Sequence, residues 1–555
     1  MREAVFSGLN CRVGSGPSHV SENGHSSPVG TRMILCMPDT PALPFDDACY
    51  LALKAHDARF DGHFFTGVTS TGIYCRPVCR VRTPKRENCR FFPHAAQAEL
   101  AGFRPCLRCR PELAPSAGLG GASQSWSMQD ASSILAYQAA RLLDTPHGWG
   151  VDAPGVAALA QRLGISDRHL RRIFEAQFGV SPLRYLQTRR LLCAKQLLTD
   201  TQLPAAQVAR MSGFASVRRF NAAFTGHYGL QPTQLRRTGA IQAQTHPSSG
   251  VYVKLAYRPP YDVNAMLQFL AKRQIDGTEH VSAVAKRPGF AKTMRVQQGA
   301  QTFTGWIDAV FDAPHCRVDL MVSDSLADVL PQVMAGVRAL LDLDADPSAI
   351  NSVLHAHFPH GDGLRLPGAL DGFELAVRAV LGQQITVAAA RTLCNRLVAR
   401  FGEPIVTPIA GLTRLFPTPQ VLAAAPGDAL GQLGIVKQRQ NAITALAQAV
   451  AGGKLALHPG APLAATLADL QALPGIGDWT AQYIAMRALG WPDAFPAGDV
   501  ALHKALGVQG AASPAKAALA ASNAWQPWRS YAVIRAWASL APPVQTASVP
   551  LDNPQ

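Results

Sequence analysis

The string Leu473-Pro474-Gly475-Ile476-Gly477-Asp478-Trp479-Thr480-Ala481 restricts its local fold more than any other stretch of this chain. Proline and two glycines between apolar flanks read as a tight hairpin joining two helices, with the glycines supplying positive φ. The N–H groups that open the second helix then lack intrahelical partners and can hold a phosphate. Gly498-Asp499 follows downstream, where a carboxylate can face whatever the hairpin anchors. Taken singly, Trp479 reads as a core aromatic and Asp499 as a helix N-cap; placed together after a Gly-rich hairpin, a functional pair is the better reading.

The second constraint is a cluster of cysteines. Of 11 in the chain, five (Cys75, Cys79, Cys89, Cys106 and Cys109) fall between positions 75 and 109. Cys75-x3-Cys79 and Cys106-x2-Cys109 have the two-plus-two spacing of a tetrahedral thiolate zinc site, and spacing alone favours a structural zinc over a reactive one. Arg76, Arg80, Arg82, Lys85, Arg86, Arg90, Arg104, Arg108 and Arg110 surround it against only Glu87 and Glu99, which predicts a cationic surface suited to phosphates.

At 555 residues the chain is too long for one core and suggests roughly three or four domains. Its 52 Lys+Arg against 37 Asp+Glu give a net charge of +15, which favours a polyanionic partner, although charge alone also fits a basic protein without one. There is no apolar run of membrane-spanning length, and the first 36 residues lack the apolar core of a signal peptide, so a cytoplasmic, nucleoid-associated location is expected.

Composition and periodicity divide the chain as follows. A Gly/Ser/Pro-rich leader occupies 1–43, with Met33 or Met37 as other initiators, and a compact metal module occupies 44–112. A low-complexity linker (113–129) precedes a helical module at 130–237. A second linker (238–250) leads to an α+β domain at 251–362, an all-α domain at 363–545, and a tail at 546–555. In the helical module, 156–178 places apolar residues on one face, turns at Gly164, and opens a basic helix with Ser166-Asp167 carrying Arg168, Arg171 and Arg172. A similar unit recurs at 205–228 with Gly213 in the turn and Arg218-Arg219 on the second helix, the two being joined by an amphipathic stretch at 184–198.

Three resemblances follow from these strings. Thr71-Gly72-Ile73-Tyr74-Cys75-Arg76-Pro77-Val78-Cys79-Arg80-Val81-Arg82 and Ala101-Gly102-Phe103-Arg104-Pro105-Cys106-Leu107-Arg108-Cys109 closely resemble the N-terminal domain of the Ada family. That implies one zinc held by Cys75, Cys79, Cys106 and Cys109, stoichiometric methyl transfer from a DNA methylphosphotriester to Cys75, and DNA contacts by Thr71, Arg80, Arg82 and Arg104. The tandem helix pairs resemble the AraC family DNA-binding domain, with helices 167–177 and 216–225 as major-groove readers. Arg168, Arg171 and Arg218 would then face DNA.

From Tyr257-Arg258-Pro259-Pro260-Tyr261-Asp262 to about Leu540 the chain is similar to AlkA-type 3-methyladenine DNA glycosylases of the helix-hairpin-helix superfamily. Matching runs include Leu364-Arg365-Leu366-Pro367-Gly368, Arg378-Ala379-Val380-Leu381-Gly382-Gln383-Gln384, Phe416-Pro417-Thr418-Pro419 and Trp528-Arg529-Ser530-Tyr531-Ala532. The resemblance implies Asp499 as the catalytic carboxylate and a base pocket of Trp479, Tyr483, Trp537 and Phe269. It also implies DNA contact through Gly475, Gly477 and Gln384, and leaves room for a monovalent cation at the hairpin. Members that also cleave the backbone carry a Schiff-base Lys where this chain has Trp479, so base removal by water without strand cleavage is expected. The family's wedge Leu is replaced by Gln384, and a Tyr of the bacterial prototype by Ala538. No cysteine quartet follows Cys394, so no iron–sulfur cluster is expected. Ada proteins usually end in an O6-methylguanine methyltransferase with a Pro-Cys-His-Arg string; here only Pro314-His315-Cys316-Arg317 occurs, and no such activity is expected.

The expected architecture is therefore multidomain. A small zinc-bound α+β module and an all-α double helix-turn-helix precede an α+β domain and an all-α helix-hairpin-helix glycosylase domain. The expected partners are alkylated and promoter double-stranded DNA and RNA polymerase, with the chain a monomer. The rival reading is a DNA-binding regulator with a purely structural zinc and an inactive glycosylase half.

Overall fold

The computed structural model describes residues 45–116, 128–144, 155–239, 250–282 and 287–540. The leader, the tail and most of both expected linkers lie outside the described residues.

The metal module is a four-stranded sheet in the order Cys89–Phe92, Phe65–Val68, Ile73–Cys75, Arg104–Pro105, covered by helices Phe45–Lys54 and Ala95–Leu100. The first three strands are antiparallel and the last runs parallel to Ile73–Cys75. The helical module contains two matched pairs, Val156–Arg162 with Asp167–Phe178 and Ala205–Met211 with Val217–Tyr228, joined by Pro182–Asp200. The matching is local in origin. Gly164 (φ 69) and Gly213 (φ 78) make the turns that a Cβ would strain, and Ser166 and Ser216 cap the following helices by accepting the N–H of His169 and Arg219, each at 3.2 Å. The helix expected at 216–225 thus runs on to Tyr228, where Gly229 in left-handed geometry stops it.

Next comes a five-stranded antiparallel sheet in the order Val251–Ala256, Arg317–Val322, Gln301–Asp312, Gly289–Gln298, Glu279–Ser282. Its core is continuous with that of the second helix pair: Leu191, Phe220 and Phe224 cluster with Val253, Leu320 and Val333. The sheet leans on the glycosylase-like helices through a buried ionic group in which Lys292 lies 2.7 Å from both Glu279 and Glu374, and Arg378 pairs with both carboxylates. Burial pushes Glu279 up, but Arg378 and Lys292 outweigh it and hold its carboxyl down at about 2. Two apolar cores, around Phe373 and Val377 and around Ile534 and Trp525, then support the helices that carry the hairpin. No described helix is long and apolar enough to cross a membrane.

The metal module is bolted to both neighbours. Glu99, a surface acid by its sequence surroundings, is buried; Tyr74 donates to it at 2.9 Å, Thr188 also donates to it, and His227 lies 3.0 Å away. Arg258, fully buried, donates to the carbonyls of Asp61 (2.7 Å), Asp344 (2.9 Å), Pro115 (3.1 Å) and Ser116 (2.7 Å). The expected linker therefore begins with residues that are fixed by packing.

Candidate active site and metal centre

Helix Asp478–Arg487 begins at the hairpin and sets Trp479 and Tyr483 one turn apart, so their rings stack at 5.4 Å and 15°. Trp537, on helix Arg529–Ser539, completes the wall 6.3 Å from Tyr483. Asp499 is the N-cap of Val500–Ala505, and its Oδ1 accepts from Leu502 N (2.7 Å). The same carboxylate accepts the indole N–H of Trp479 at Oδ2 (2.9 Å) and that of Trp537 at Oδ1 (3.0 Å). Capping and site membership are thus one arrangement: the cap fixes the side chain that the two indoles grip. Trp479, Tyr483, Trp537 and Phe269 are each half-buried.

Phe269 reaches this group through cations. Arg273 lies 3.7 Å and Arg487 4.8 Å from its ring centroid, while Arg487 donates to the Tyr483 hydroxyl at 2.7 Å. Burial pushes the Tyr483 phenol up, but Arg487 and Arg273 outweigh it and leave it below its usual value. Arg487 carries no motif that marks it in the sequence, although it sits one helical turn from Tyr483. Arg529 and Ser530, within a run that matches the glycosylases, hold Trp537's helix to the loop before Asp499. Arg529 forks onto Asp493 (2.8 and 2.7 Å) and Ser530 donates to the Trp491 carbonyl (2.7 Å).

The hairpin departs from expectation at one glycine. Gly475 has φ 77, and a Cβ there would lie 3.1 Å from that of Ala442, but Gly477 has φ −87 with extended ψ. Gly477 serves as an N-cap with no side chain, which leaves the first-turn N–H groups without a side-chain acceptor. Gln383 ties the hairpin down by donating to Gly475 O and Thr480 Oγ1, both at 2.9 Å. The neighbouring Gln384 is in left-handed geometry (φ 54) and keeps part of its surface open to solvent.

In the metal module the sulfurs of Cys75, Cys79, Cys106 and Cys109 all lie within 4.8 Å of one another, and none is in a disulfide. Cys89 stands apart, its thiol directed to the Lys85 carbonyl at 3.3 Å. Four convergent free thiols fit a tetrahedral zinc, and the surrounding donors suit thiolates. The Arg76 N–H reaches Cys109 Sγ at 3.3 Å, the Cys109 N–H reaches Cys106 Sγ at 3.5 Å, and the Val81 amide acts on Cys79 in the same sense. Among the described residues no backbone N–H bonds to Cys75.

The cationic surface is smaller than the residue count implied. Arg76 is buried against Asp61, donates to it at 2.8 Å and also to the Cys109 carbonyl at 3.0 Å; Arg110 is turned inward onto Asp200 (2.5 Å) and Glu112 (2.9 Å). Arg86 is paired with Asp47 at 3.0 Å. Thr71, Arg80, Arg82, Lys85, Arg90, Arg104 and Arg108 keep surface open to solvent. Arg104 also donates to the Tyr228 carbonyl at 3.3 Å, at the end of the second reading helix. Arg168, Arg171 and Arg218 are exposed on the two reading helices, Arg171 pairing with Asp167 at 3.0 Å.

Comparison with known proteins agrees with this geometry. The family described as the metal binding domain of Ada matches residues 48–112, a helix-turn-helix domain family 159–238, the AlkA N-terminal domain 252–371, and the HhH-GPD superfamily of base excision DNA repair proteins 377–530. The chain is 34% identical over 283 residues to DNA-3-methyladenine glycosylase 2 of Escherichia coli, covering 51% of this chain and 95% of that protein. It is 29% identical over 198 residues to the bifunctional transcriptional activator/DNA repair enzyme AdaA of Bacillus subtilis, covering 35% of this chain and 85% of the relative. It is 38% identical over 506 residues to the probable bifunctional transcriptional activator/DNA repair enzyme AlkA of Mycobacterium tuberculosis, covering 90% of this chain and 97% of the relative. This chain therefore belongs to the family of bifunctional transcriptional activator/DNA repair enzymes of the AlkA type.

Proposed function

We propose that this chain senses methylation damage in DNA, repairs methylphosphotriesters stoichiometrically at Cys75, and excises 3-methyladenine and related alkylated bases hydrolytically at Asp499. The observation that carries the reading is the carboxylate of Asp499 held between the indole N–H groups of Trp479 and Trp537 beside a hairpin with free N–H groups. An alkylated purine is cationic and a good leaving group, so flipping it against aromatic faces and stabilising positive charge on the sugar suffice. Both carboxylate oxygens already accept N–H bonds, which fixes the carboxylate in place and suits Asp499 to stabilising charge at C1′. The C1′–N bond breaks with its electron pair going to the purine, water oxygen bonds to C1′, and its proton leaves to solvent. Trp479 offers no amine, so strand cleavage does not follow.

In the metal module, Cys75, Cys79, Cys106 and Cys109 would hold one zinc, which keeps all four thiols deprotonated at neutral pH. The Cys75 sulfur forms a bond to the methyl carbon, the methyl C–O bond breaks, and the electron pair remains on the phosphate as a diester anion. One thiolate becomes a neutral thioether, which halves the net negative charge of the centre and favours DNA binding. Thr71, Arg80, Arg82 and Arg104 would contact that DNA, and helices Asp167–Phe178 and Val217–Tyr228, with Arg168, Arg171 and Arg218, would read a promoter. Gln384 would fill the gap left by the flipped base, and the Gly475–Gly477 hairpin would hold phosphate with a monovalent cation. A monomer that recruits RNA polymerase in the cytoplasm, without an iron–sulfur cluster, completes the reading.

The test is incubation of zinc-loaded protein with DNA methylated on bases and phosphates. Free 3-methyladenine and a single methyl adduct at Cys75 are expected. Base release without an adduct would reduce the zinc to a structural role, and an adduct without base release would reduce the C-terminal half to DNA binding.

A further inference from the structure

Thr66 is a buried hydroxyl with nothing to bond. It sits on the central strand Phe65–Val68, is 0% exposed, and its Oγ1 has no hydrogen-bond partner among the described residues. Native interiors rarely leave such a group unmade, because its desolvation is then uncompensated. The candidate partners can be taken in turn. Backbone groups of a central strand are committed to the ladders on both sides. Directly across on one side is Phe91, whose ring packs edge-on against Phe64 at 5.8 Å and offers no lone pair. The cavity that Thr66 lines is about 10 Å³, no more than the smallest space that holds one water, and its lining includes the polar side chains of His56, Cys75, Cys79 and Thr83 beside Leu53, Val68 and Val81.

Of these polar side chains, Cys75 is the one that pairs directly with Thr66 in the antiparallel register. Side chains of such a pair stand on one face with Cβ atoms about 4.5–5.5 Å apart, within reach of an O–H···S bond after a χ1 rotation.

We infer that the Thr66 hydroxyl is the hydrogen-bond donor of the Cys75 thiolate, a positioning residue that restrains the nucleophile in the resting protein. The inference rests on Cys75 being the methyl acceptor. The proton stays on Thr66 throughout. As methyl transfer turns the thiolate into a thioether, a much weaker acceptor, Thr66 loses its partner and the strand pair loosens beside the centre. Donation withdraws charge from sulfur, so removing the hydroxyl speeds the reaction.

The experiment compares full-length wild type, Thr66→Ser and Thr66→Val in two assays. With Co(II) replacing zinc, the ligand-field bands report an intact tetrahedral site, and the sulfur-to-metal charge-transfer band reports charge on the thiolates. With zinc, the rate of methyl uptake from methylphosphotriester DNA is measured. Thr66→Val is expected to move the charge-transfer band to lower energy and to raise uptake about threefold or more, the effect of one hydrogen bond, with Thr66→Ser at wild-type values. Should Thr66→Val fail to load metal, Thr66→Ala carries the same comparison. Coincident bands and rates in all variants would overturn the inference. If no protein, wild type included, takes up methyl, the reading of Cys75 fails, and the band shift decides the Thr66 bond by itself.

Discussion

The two chemical centres of this chain treat a negatively charged side chain in opposite ways. At the metal centre, the sulfurs of Cys109 and Cys106 each accept one backbone N–H, and Cys75 accepts none among the described residues. At the hairpin, three N–H donors converge on the single carboxylate of Asp499. A thiolate with few donors is a strong nucleophile and is consumed when it reacts; a carboxylate with three is a poor nucleophile but a fixed point charge that survives turnover. On the roles proposed for Cys75 and Asp499, the number of donors aimed at the anion would separate a one-use methyl acceptor from a reusable catalyst.

Substitutions can break this contrast. The largest effect is expected from Cys75→Ala, which should abolish the methyl adduct by intact mass while leaving 3-methyladenine release unchanged; residual uptake would place the acceptor elsewhere. Asp499→Asn should lower excision about a hundredfold to a thousandfold, the loss of a preorganised charge, with methyl uptake unaffected. Trp479→Phe and Trp537→Phe each keep a ring but delete one donor. Each should lower the single-turnover excision rate about tenfold, since a hydrogen bond to a charged group contributes roughly 1.5–3 kcal/mol. A drop confined to Trp479→Phe would mean that only one indole serves the carboxylate.

A smaller effect concerns the joint beneath the pocket. Glu279 is held down at about 2 by Arg378 and Lys292 against an ordinary value of 4.5, so its contribution to stability is present above pH 4.5 and is lost as pH falls from 4.5 through 2. Glu279→Gln should flatten that acid limb in denaturant titrations; an unchanged limb would remove Glu279 from the account.

Much of the fold and of both centres is legible in the amino-acid sequence. Cysteine spacing locates the metal ligands, because a tetrahedral ion needs two close pairs and close pairs are local in sequence. The helix-turn-helix pairs are legible through Gly164, Gly213 and the serine caps, again local features. What the sequence hides depends on distant partners. Arg76 and Arg110 count as surface cations until Asp61 and Asp200 are found facing them. Glu99 counts as a surface acid until Thr188 and His227 close over it. Gly477 reads as a positive-φ residue, yet one left-handed residue, Gly475, already turns the chain.

The sequence by itself determined which residues are candidates for chemistry: the thiols and the hairpin by short-range spacing that backbone geometry enforces, and the pocket aromatics and the role of Asp499 through family resemblance. Only the tertiary structure decided which donors surround them. Donors reach Asp499 from Trp479 and Trp537, on separate helices, and Cys109 is bonded by the amide of Arg76, which is distant in sequence. Hydrogen bonding is directional and short-ranged in space, and the chain distances it spans leave no periodic trace in the sequence.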